Sequence, residues 1–179
     1  MFTFKVKIPE RINEFLVSFM FLFRVDDRLI HGTVTVSWAK AYNLKRIYVV
    51  NDEISKNAFQ KQIIKTSAAS ILRGVKVDVL DVKGACELLR KDSGDENTMF
   101  IFKTPLDFLR MVKEFGSKDK FKVLNIGFMG YSKGKKDICK KFLFASDEEI
   151  EALKEIVNMG IELDVRTSAN GPSFKINLP

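Results

Sequence analysis

The sequence predicts an α/β fold, in which one domain has a mainly parallel central sheet with helices on both faces. Short apolar runs rich in β-branched and aromatic residues alternate with longer helical stretches almost throughout the chain. Such runs are typical of strands buried on both faces. Strands that alternate with helices of about ten to fifteen residues indicate βαβ units, and right-handed crossovers then place helices on both sides of the sheet.

The predicted strands follow the short apolar runs in chain order. Ile47-Tyr48-Val49-Val50 is typical of them, since three of its residues are β-branched and the fourth is aromatic. The strands are predicted at Phe21–Val25, Arg46–Asn51, Val75–Leu80, Met99–Phe102, Phe121–Ile126 and Ile161–Val165.

The predicted helices lie between these strands and carry start and stop signals. Pro105 suits a first helical position, Ser146 with Glu149 forms a capping box, and Gly116 follows a helix end. Residues 127–144 are predicted as a loop followed by a short edge strand near Lys141–Ala145. The helices are predicted at Thr33–Tyr42, Ser55–Leu72, Val82–Lys91, Pro105–Phe115 and Asp147–Met159.

Length and composition indicate one soluble globular domain. The chain has 179 residues, of which 46% are hydrophobic. Cys86 and Cys139 lie far apart, which indicates buried thiols in a reducing compartment rather than a disulfide framework. One histidine and no close pair of cysteines argue against a zinc site, so we expect no metal and no other cofactor.

Residues 1–19 are predicted to be an extension that precedes the domain formed by residues 20–179. The apolar run Phe15–Phe23, broken only by Ser18, is shorter than the roughly 20 residues that a membrane-spanning helix needs. No small-residue cleavage site follows it, because Arg24 and two aspartates come next.

The formal charge of +7 is concentrated in one segment. Residues 110–141 hold ten lysines or arginines and three acidic residues, so the rest of the chain is neutral overall. The segment can steer an acidic partner or an anion, or it can be a solvated helix face and loop. Nucleic-acid binding fits less well, because no recognised motif and few aromatic residues accompany the lysines.

The only histidine, His31, lies in the run Arg24–Gly32, between a predicted strand and a predicted helix. Catalytic residues of parallel α/β sheets lie in such turns, and the N-terminus of a helix attracts a phosphoryl group. Imidazole can serve there as nucleophile or base. The alternative is that His31 is only a polar turn residue.

Polar side chains also follow the other predicted strands, where a sheet of this kind binds its ligands. Each of them can instead be an ordinary cap or turn residue. These candidate rim residues are Asn51, Asp52, Lys103, Thr104 and Asn125, beside Arg24, Asp26, Asp27 and Arg28 of the histidine run.

Phosphoryl transfer to His31 is the chemistry that the residues favour. The sequence has no Walker A loop, no G-x-G-x-x-G loop after a strand and no G-x-S-x-G elbow. A neutral imidazole nitrogen can attack phosphorus, while the guanidinium of Arg28 matches phosphate geometry. The backbone N–H groups of Gly32 and Thr33 can hold phosphoryl oxygens if these residues open the helix.

Two interpretations remain for the paired aspartates. Asp26 or Asp27 can accept a hydrogen bond from the second ring nitrogen of His31 and fix its tautomer. Alternatively, the two carboxylates pair with Arg24 and Arg28 at the surface, where an ion pair contributes only about 0–1 kcal/mol.

The histidine run resembles the phosphorylation site of the IIB subunit of the mannose/fructose/sorbose-type sugar phosphotransferase system. The resemblance spans roughly Met20 to Arg166. It continues through Ile47–Glu53, Phe102–Pro105 and Asn125–Gly127.

The resemblance implies a cytoplasmic phosphocarrier with a mainly parallel sheet. It implies that His31 accepts a phosphoryl group from a phosphohistidine on a IIA protein, here a separate chain, and that Arg28 steadies this group. The group then passes to a sugar at the membrane IIC/IID complex, with which the protein associates peripherally. No nucleotide, metal or nucleic acid is implied.

Two residues depart from the family pattern, since Thr33 stands where glutamine is usual and Phe128 where a second glycine is common. We expect both to alter the rim of the site, and with it the preference for a partner or sugar, but not the reaction. The alternative function is a non-catalytic α/β module that binds a phosphorylated partner and regulates transport or transcription.

Overall fold

Six parallel strands form the central sheet in the computed structural model, which describes residues 21–91, 96–139 and 142–179. This architecture confirms the predicted α/β fold with a mainly parallel sheet. The strands are β1 Phe21–Asp26, β2 Arg46–Val50, β3 Lys76–Leu80, β4 Thr98–Phe102, β5 Val123–Phe128, β6 Lys136–Cys139, β7 Leu143–Ala145 and β8 Glu162–Val165. The helices are α1 Gly32–Ala41, α2 Asp52–Lys56, α3 Ala58–Ile71, α4 Val82–Lys91, α5 Pro105–Phe115 and α6 Asp147–Asn158.

The first strand lies inside the sheet rather than at its edge. The spatial order is β3-β2-β4-β1-β5-β8, so β1 pairs with β4 on one side and with β5 on the other. The loop that carries His31 therefore leaves the sheet between the loops that follow β4 and β5.

Helices cover both faces of the sheet, and each face has its own apolar core. Phe23 and Val25 of β1 belong to the larger core, which they share with buried side chains of α4, α5 and α6. Leu22 faces the opposite side, where α1 and α3 contribute Trp38 and Ala68 to a smaller core. This alternation explains why the strands are apolar on both faces.

Two helices replace the single helix that was predicted at Ser55–Leu72. Helix α2 ends at Lys56 and α3 begins at Ala58, with Asn57 between them in an extended conformation. The Asn57 side chain accepts a hydrogen bond from the backbone N–H of Gln60 at 3.0 Å. Asparagine at this position therefore caps a new helix instead of continuing the first one.

The segment predicted as a loop and an edge strand is instead largely a hairpin. Strands β6 and β7 pair with each other in antiparallel fashion, in a separate two-stranded sheet. Cys139, Leu143 and Ala145 are buried in the larger core, so burial of their side chains fixes the hairpin against the domain. Residues 140 and 141, part of the predicted edge strand, lie outside the described residues.

The fifth strand is shifted along the chain relative to its prediction at Phe121–Ile126. It runs from Val123 to Phe128, because its last residue still pairs with Asp26 of β1. Phe121 precedes the strand, and its side chain is buried in the larger core. Burial of an aromatic residue was thus mistaken for a strand position.

The predicted extension, residues 1–19, lies outside the described residues. Within the part of the chain that the structure describes, no helix is long and apolar enough to cross a membrane.

Candidate functional site

His31 lies exposed at the junction between β1 and α1, as the N-cap residue of the helix. Its backbone N–H donates a hydrogen bond to Thr35 Oγ1 at 3.0 Å, and its carbonyl oxygen accepts one from the Thr35 N–H at 3.1 Å. The backbone of His31 is thus fixed by the first turn of α1. The first N–H groups of α1 have no hydrogen-bond partner within the helix, and its N-terminus carries a partial positive charge. Both lie next to His31.

Two apolar side chains anchor the loop that presents His31. Leu29 and Ile30 pack against the smaller cores on the α1 face of the sheet, beside residues such as Trp38 and Ile54. Leu29 has a φ of +55°, which is unusual for a residue other than glycine. Its N–H donates to the carbonyl oxygen of Asp26 at 2.9 Å and closes a tight turn. The loop is therefore packed from below, while His31 faces solvent.

Arg28 holds its guanidinium group against the carboxylate of Asp26. Its Nε donates to Asp26 Oδ1 at 2.9 Å and its Nη2 donates to Oδ2 at 3.0 Å. The hydrogen bond to Asp26 raises the pKa of Arg28, so the guanidinium stays charged. The Arg28 side chain is 27% exposed, whereas that of Asp26 is only 2% exposed.

Arg24 lies below the rim, within the sheet. Its Nη2 donates to Asp26 Oδ2 at 2.6 Å and to the carbonyl oxygen of Thr167 at 3.1 Å, and its Nη1 donates to the side-chain oxygen of Asn125. Its side chain is 3% exposed, and burial lowers its pKa. Asp26 thus pairs with both arginines, but the pair with Arg24 is buried rather than at the surface.

The second aspartate of the run binds a different partner. Asp27 Oδ2 accepts a hydrogen bond from the backbone N–H of Gly130 at 2.6 Å. The Asp27 N–H donates to the carbonyl oxygen of Phe128 at 3.0 Å. Both contacts tie the histidine loop to the segment that follows β5, so Asp27 fixes the loop. After the larger contribution of Asp26, the charge of Asp27 also helps to raise the pKa of Arg28.

The site lies where the direction of the chain connections reverses. The connection after β1 runs through α1 on one face of the sheet, and the connection after β4 runs through α5 on the opposite face. Ligands of open α/β sheets bind in the crevice at such a switch point. Lys103, which is exposed, and Thr104 follow β4 directly and flank this crevice opposite the loop of His31.

The predicted rim residues after β2 and β4 form a capping network. Asn51 accepts hydrogen bonds from the N–H groups at the start of α2, and Thr104 caps α5. Buried Asp107 accepts from Asn51 Nδ2 at 3.2 Å and from Thr104 Oγ1 at 3.0 Å. Arg110 donates to both Asp107 and Asp52. These contacts favour the cap interpretation for Asn51, Asp52 and Thr104.

Part of the positive charge of the basic segment 110–141 is balanced locally. Three of its described lysines form ion pairs with acidic side chains of α6. The pairs are Lys113 with Glu155, Lys135 with Glu149, and Lys136 with Asp147.

Two further residues shape the site: Gly127, which was not among the predicted site residues, and Phe128, for which only an effect on the rim was expected. The ring of Phe128 lies 4.2 Å from Cζ of Arg28, and a side chain on Gly127 would overlap the guanidinium of Arg24, with a Cβ only 2.0 Å from Nη2. The run Gly127-Phe128 after a strand was the available signal, because an isolated glycine near a strand end indicates a bulge or a close approach.

Comparison with known proteins identifies the family. The model of the sorbose subfamily of phosphotransferase-system (PTS) IIB components matches residues 20–176. The chain belongs to this family. The sorbose-specific EIIB component of Klebsiella pneumoniae is 33% identical over 156 residues, which are 87% of this chain and 91% of that protein. The sorbose-specific EIIB component of Lacticaseibacillus casei is 35% identical over 156 residues, which are again 87% of this chain and 91% of that protein.

A solved structure of this family has the same fold. The crystal structure of the IIBSor domain of the Klebsiella pneumoniae sorbose permease matches with a TM-score of 0.76 and 33% identity, over 87% of this chain and 92% of that one. The mannose-specific EIIAB component of Escherichia coli K12 is 32% identical over 169 residues, which are 94% of this chain and 50% of that protein.

The PTS IIB component described here is a phosphocarrier of a sugar phosphotransferase system, and thus a phosphotransferase. IIB components work with a IIA component and with membrane IIC and IID components. The relatives do not favour the alternative of a non-catalytic regulatory module.

Proposed function

We propose that His31 carries the phosphoryl group, taking it from a phosphohistidine of a separate IIA protein and giving it to a sugar hydroxyl. The main support for this proposal is the position of His31, the only histidine of the chain. It is exposed at the N-terminus of α1, beside the switch point of the sheet. An exposed imidazole is accessible to two large partners in turn.

Arg28 stabilises the charge on the phosphoryl oxygens in this proposal. Its guanidinium is partly exposed and charged, and Asp26 occupies only one of its edges. The N–H groups of Gly32 and Thr33 at the start of α1 supply further donors. Asp26 and Arg24 support Arg28 from below, since both side chains are buried.

In the first step, a ring nitrogen of neutral His31 attacks phosphorus in line. The bond between phosphorus and the IIA imidazole breaks as the new P–N bond forms. Each ring keeps the proton on its other nitrogen, so only the phosphoryl group moves. Charge develops on the equatorial oxygens, where Arg28 stabilises it.

In the second step, a sugar hydroxyl oxygen attacks the same phosphorus from the opposite side. The P–N bond to His31 breaks, the P–O bond of the sugar phosphate forms, and the hydroxyl proton passes to solvent. His31 returns to neutral imidazole, ready for the next donor. We propose that this step occurs at the cytoplasmic face of a IIC/IID permease, with which the protein associates peripherally.

Phosphorylation in a reconstituted pathway tests the role of His31. The protein is incubated with phosphoenolpyruvate, the two general phosphotransferase proteins and a cognate IIA, and then its intact mass and the acid lability of the product are measured. We expect a gain of one acid-labile phosphoryl group in the wild type and none in His31→Ala or His31→Gln.

Circular dichroism and thermal unfolding of the two variants are the controls. We expect the fold to be retained, because an exposed side chain contributes little to packing. A phosphoryl group on the His31→Ala protein, or no phosphorylation of the wild type by several active IIA donors, would contradict the proposal.

A further inference from the structure

We propose that Phe128 is a positioning residue for phosphoryl transfer, because its aromatic ring fixes the orientation of the Arg28 guanidinium. This inference rests on the proposed function of Arg28. It assigns a role to one of the two residues that depart from the family pattern.

A bulge in β5 brings Phe128 to the histidine loop. Val25 pairs with Ile126, but the next residue of β1, Asp26, pairs with Phe128, so Gly127 is an extra residue in the ladder. The carbonyl oxygen of Phe128 accepts the hydrogen bond from the Asp27 N–H. The backbone of Phe128 is therefore fixed at the base of the loop that carries Arg28.

The guanidinium of Arg28 is then held on two sides. Asp26 binds the edge formed by Nε and Nη2, and the Phe128 ring covers one face, with Cζ 4.2 Å from the ring centroid. Among the described residues, Nη1 of Arg28 has no hydrogen-bond partner. The free end of the group is thus the end available to an anion.

The ring restricts a motion that the carboxylate alone permits. A guanidinium held along one edge can still tilt about that edge, because the arginine stem is long and flexible. A half-buried aromatic ring below the group opposes the tilt and attracts the cation. Arg28 is then oriented before the phosphoryl group arrives, and preorganised donors stabilise a developing charge more effectively than mobile ones.

Single-turnover transfer from phospho-IIA to the protein tests this role in Phe128→Leu and Phe128→Tyr. In Phe128→Leu we expect the maximal rate to fall roughly three- to tenfold, as loss of a cation–π contact predicts. The IIA concentration at half-saturation stays unchanged. Phe128→Tyr keeps the ring, so its maximal rate stays within about twofold of the wild type.

Tyr131→Leu is the matched control, because Tyr131 is an exposed aromatic residue near the same loop and packs against Phe144. We expect its maximal rate to equal that of the wild type. Thermal unfolding of each variant separates a loss of folding from a loss of rate. An unchanged maximal rate in folded Phe128→Leu would overturn the inference.

A double-mutant cycle with Arg28→Ala tests whether Phe128 acts through Arg28. We expect Phe128→Leu to have no further effect on the rate when Arg28 is absent. An equal loss in both backgrounds would overturn the inference, since the ring would then act by another route.

Side-chain NMR of unphosphorylated protein gives a readout that needs no transfer. We expect the Nε–Hε order parameter of Arg28 to fall in Phe128→Leu and to be retained in Phe128→Tyr. An equally ordered Arg28 in Phe128→Leu would overturn the inference. Failure of this inference can be distinguished from failure of the proposed function. If the proposed function is wrong, His31 of the wild type stays unphosphorylated whatever the mobility of Arg28.

Discussion

The buried carboxylate of Asp26 accepts hydrogen bonds from two arginines that lie at different depths. Arg24 is enclosed by the sheet, where it satisfies backbone and side-chain oxygens, whereas Arg28 reaches the solvent-exposed rim. A buried carboxylate needs such partners, because an unpaired buried charge is costly. The same carboxylate thus stabilises the sheet through Arg24 and orients the rim through Arg28.

Arg28→Ala should retain the fold but slow phosphoryl transfer. Asp26 keeps its contact with Arg24, so we expect the free energy of unfolding to fall by only about 1 kcal/mol. Removal of a donor to the developing charge should lower the transfer rate by roughly 100-fold, as in other sites of this kind. Single-turnover kinetics and urea unfolding measure the two effects, and Arg28→Lys, which keeps the charge but loses the fork, should give an intermediate rate.

Gly127→Ala should be strongly destabilising. The new Cβ would lie 2.0 Å from Nη2 and 2.2 Å from Cζ of Arg24, so the buried guanidinium must move away from its partners. We expect the free energy of unfolding to fall by about 2–4 kcal/mol in a urea titration.

Gly32→Ala is the matched control for this substitution. A Cβ at Gly32 meets nothing within 4 Å, and the residue begins α1. Its stability should stay within about 0.5 kcal/mol of the wild type. Equal stability of the two alanine variants would show that Arg24 has another conformation of similar energy.

At the level of the elements, helix caps decide much of the architecture around the switch point. Asn51, Asn57, Thr104 and Ser146 each accept a hydrogen bond from a backbone N–H in the first turn of a helix. Two of these caps also fix Asp107, which links the loop after β2 to the loop after β4. The caps therefore set both where the helices begin and how the loops meet.

Asn51→Ala should destabilise the protein more than Asn57→Ala. Both variants lose a cap, which costs about 1 kcal/mol, but Asn51 is buried and also donates to the carboxylate of Asp107. We expect a total loss of about 2–3 kcal/mol for Asn51→Ala, because Asp107 loses a donor as well. Urea unfolding of the two variants checks the order, and the reverse order would contradict it.

The sequence predicted those elements whose signals are local. The sequence placed the helix that begins at Pro105, the capping box at Ser146 and the strand around Ile47 close to their true bounds. The break at Asn57 was missed because the apolar pattern continues across it. The hairpin β6–β7 was missed because burial against the larger core, rather than turn residues alone, determines its place.

Within the candidate site, the sequence identified the loop but not its internal contacts. His31 and Arg28 were predicted from their chemistry and spacing, and their roles stay predictions. The depth of Arg24, the binding of Asp27 to Gly130 and the stacking of Phe128 under Arg28 depend on the pairing of β1 with β5. No local pattern encodes that pairing, since it joins segments about a hundred residues apart.

For the whole molecule, the larger core contains a thiol whose ionisation is coupled to unfolding. Cys86 is fully buried, and burial raises its pKa to about 11. In the unfolded chain the thiol ionises near about 8.5. Below about pH 8.5 the thiol is neutral in both states, so its raised pKa does not affect the stability. Between about pH 8.5 and 11 the thiol ionises only in the unfolded chain, which lowers the stability of the fold as the pH rises.

Wild-type protein should accordingly lose stability more steeply than Cys86→Ala as the pH rises from about 8 to about 10. The alanine variant starts from a lower stability, since it leaves a small cavity, so the comparison is between slopes. Urea unfolding at several pH values measures both. Parallel pH dependences would contradict a neutral, buried Cys86.

Arg24 sets a constraint on how the protein is made by the ribosome. Its hydrogen-bond partners Asn125, Arg166 and Thr167 lie 101, 142 and 143 residues later in the chain. During synthesis strand β1 emerges early, when Asp26 is the only one of the described hydrogen-bond partners of Arg24 that has already been made. We expect the binding site of the Arg24 side chain to be completed only after residues 166 and 167 have left the exit tunnel, so that the domain reaches its full stability late in synthesis.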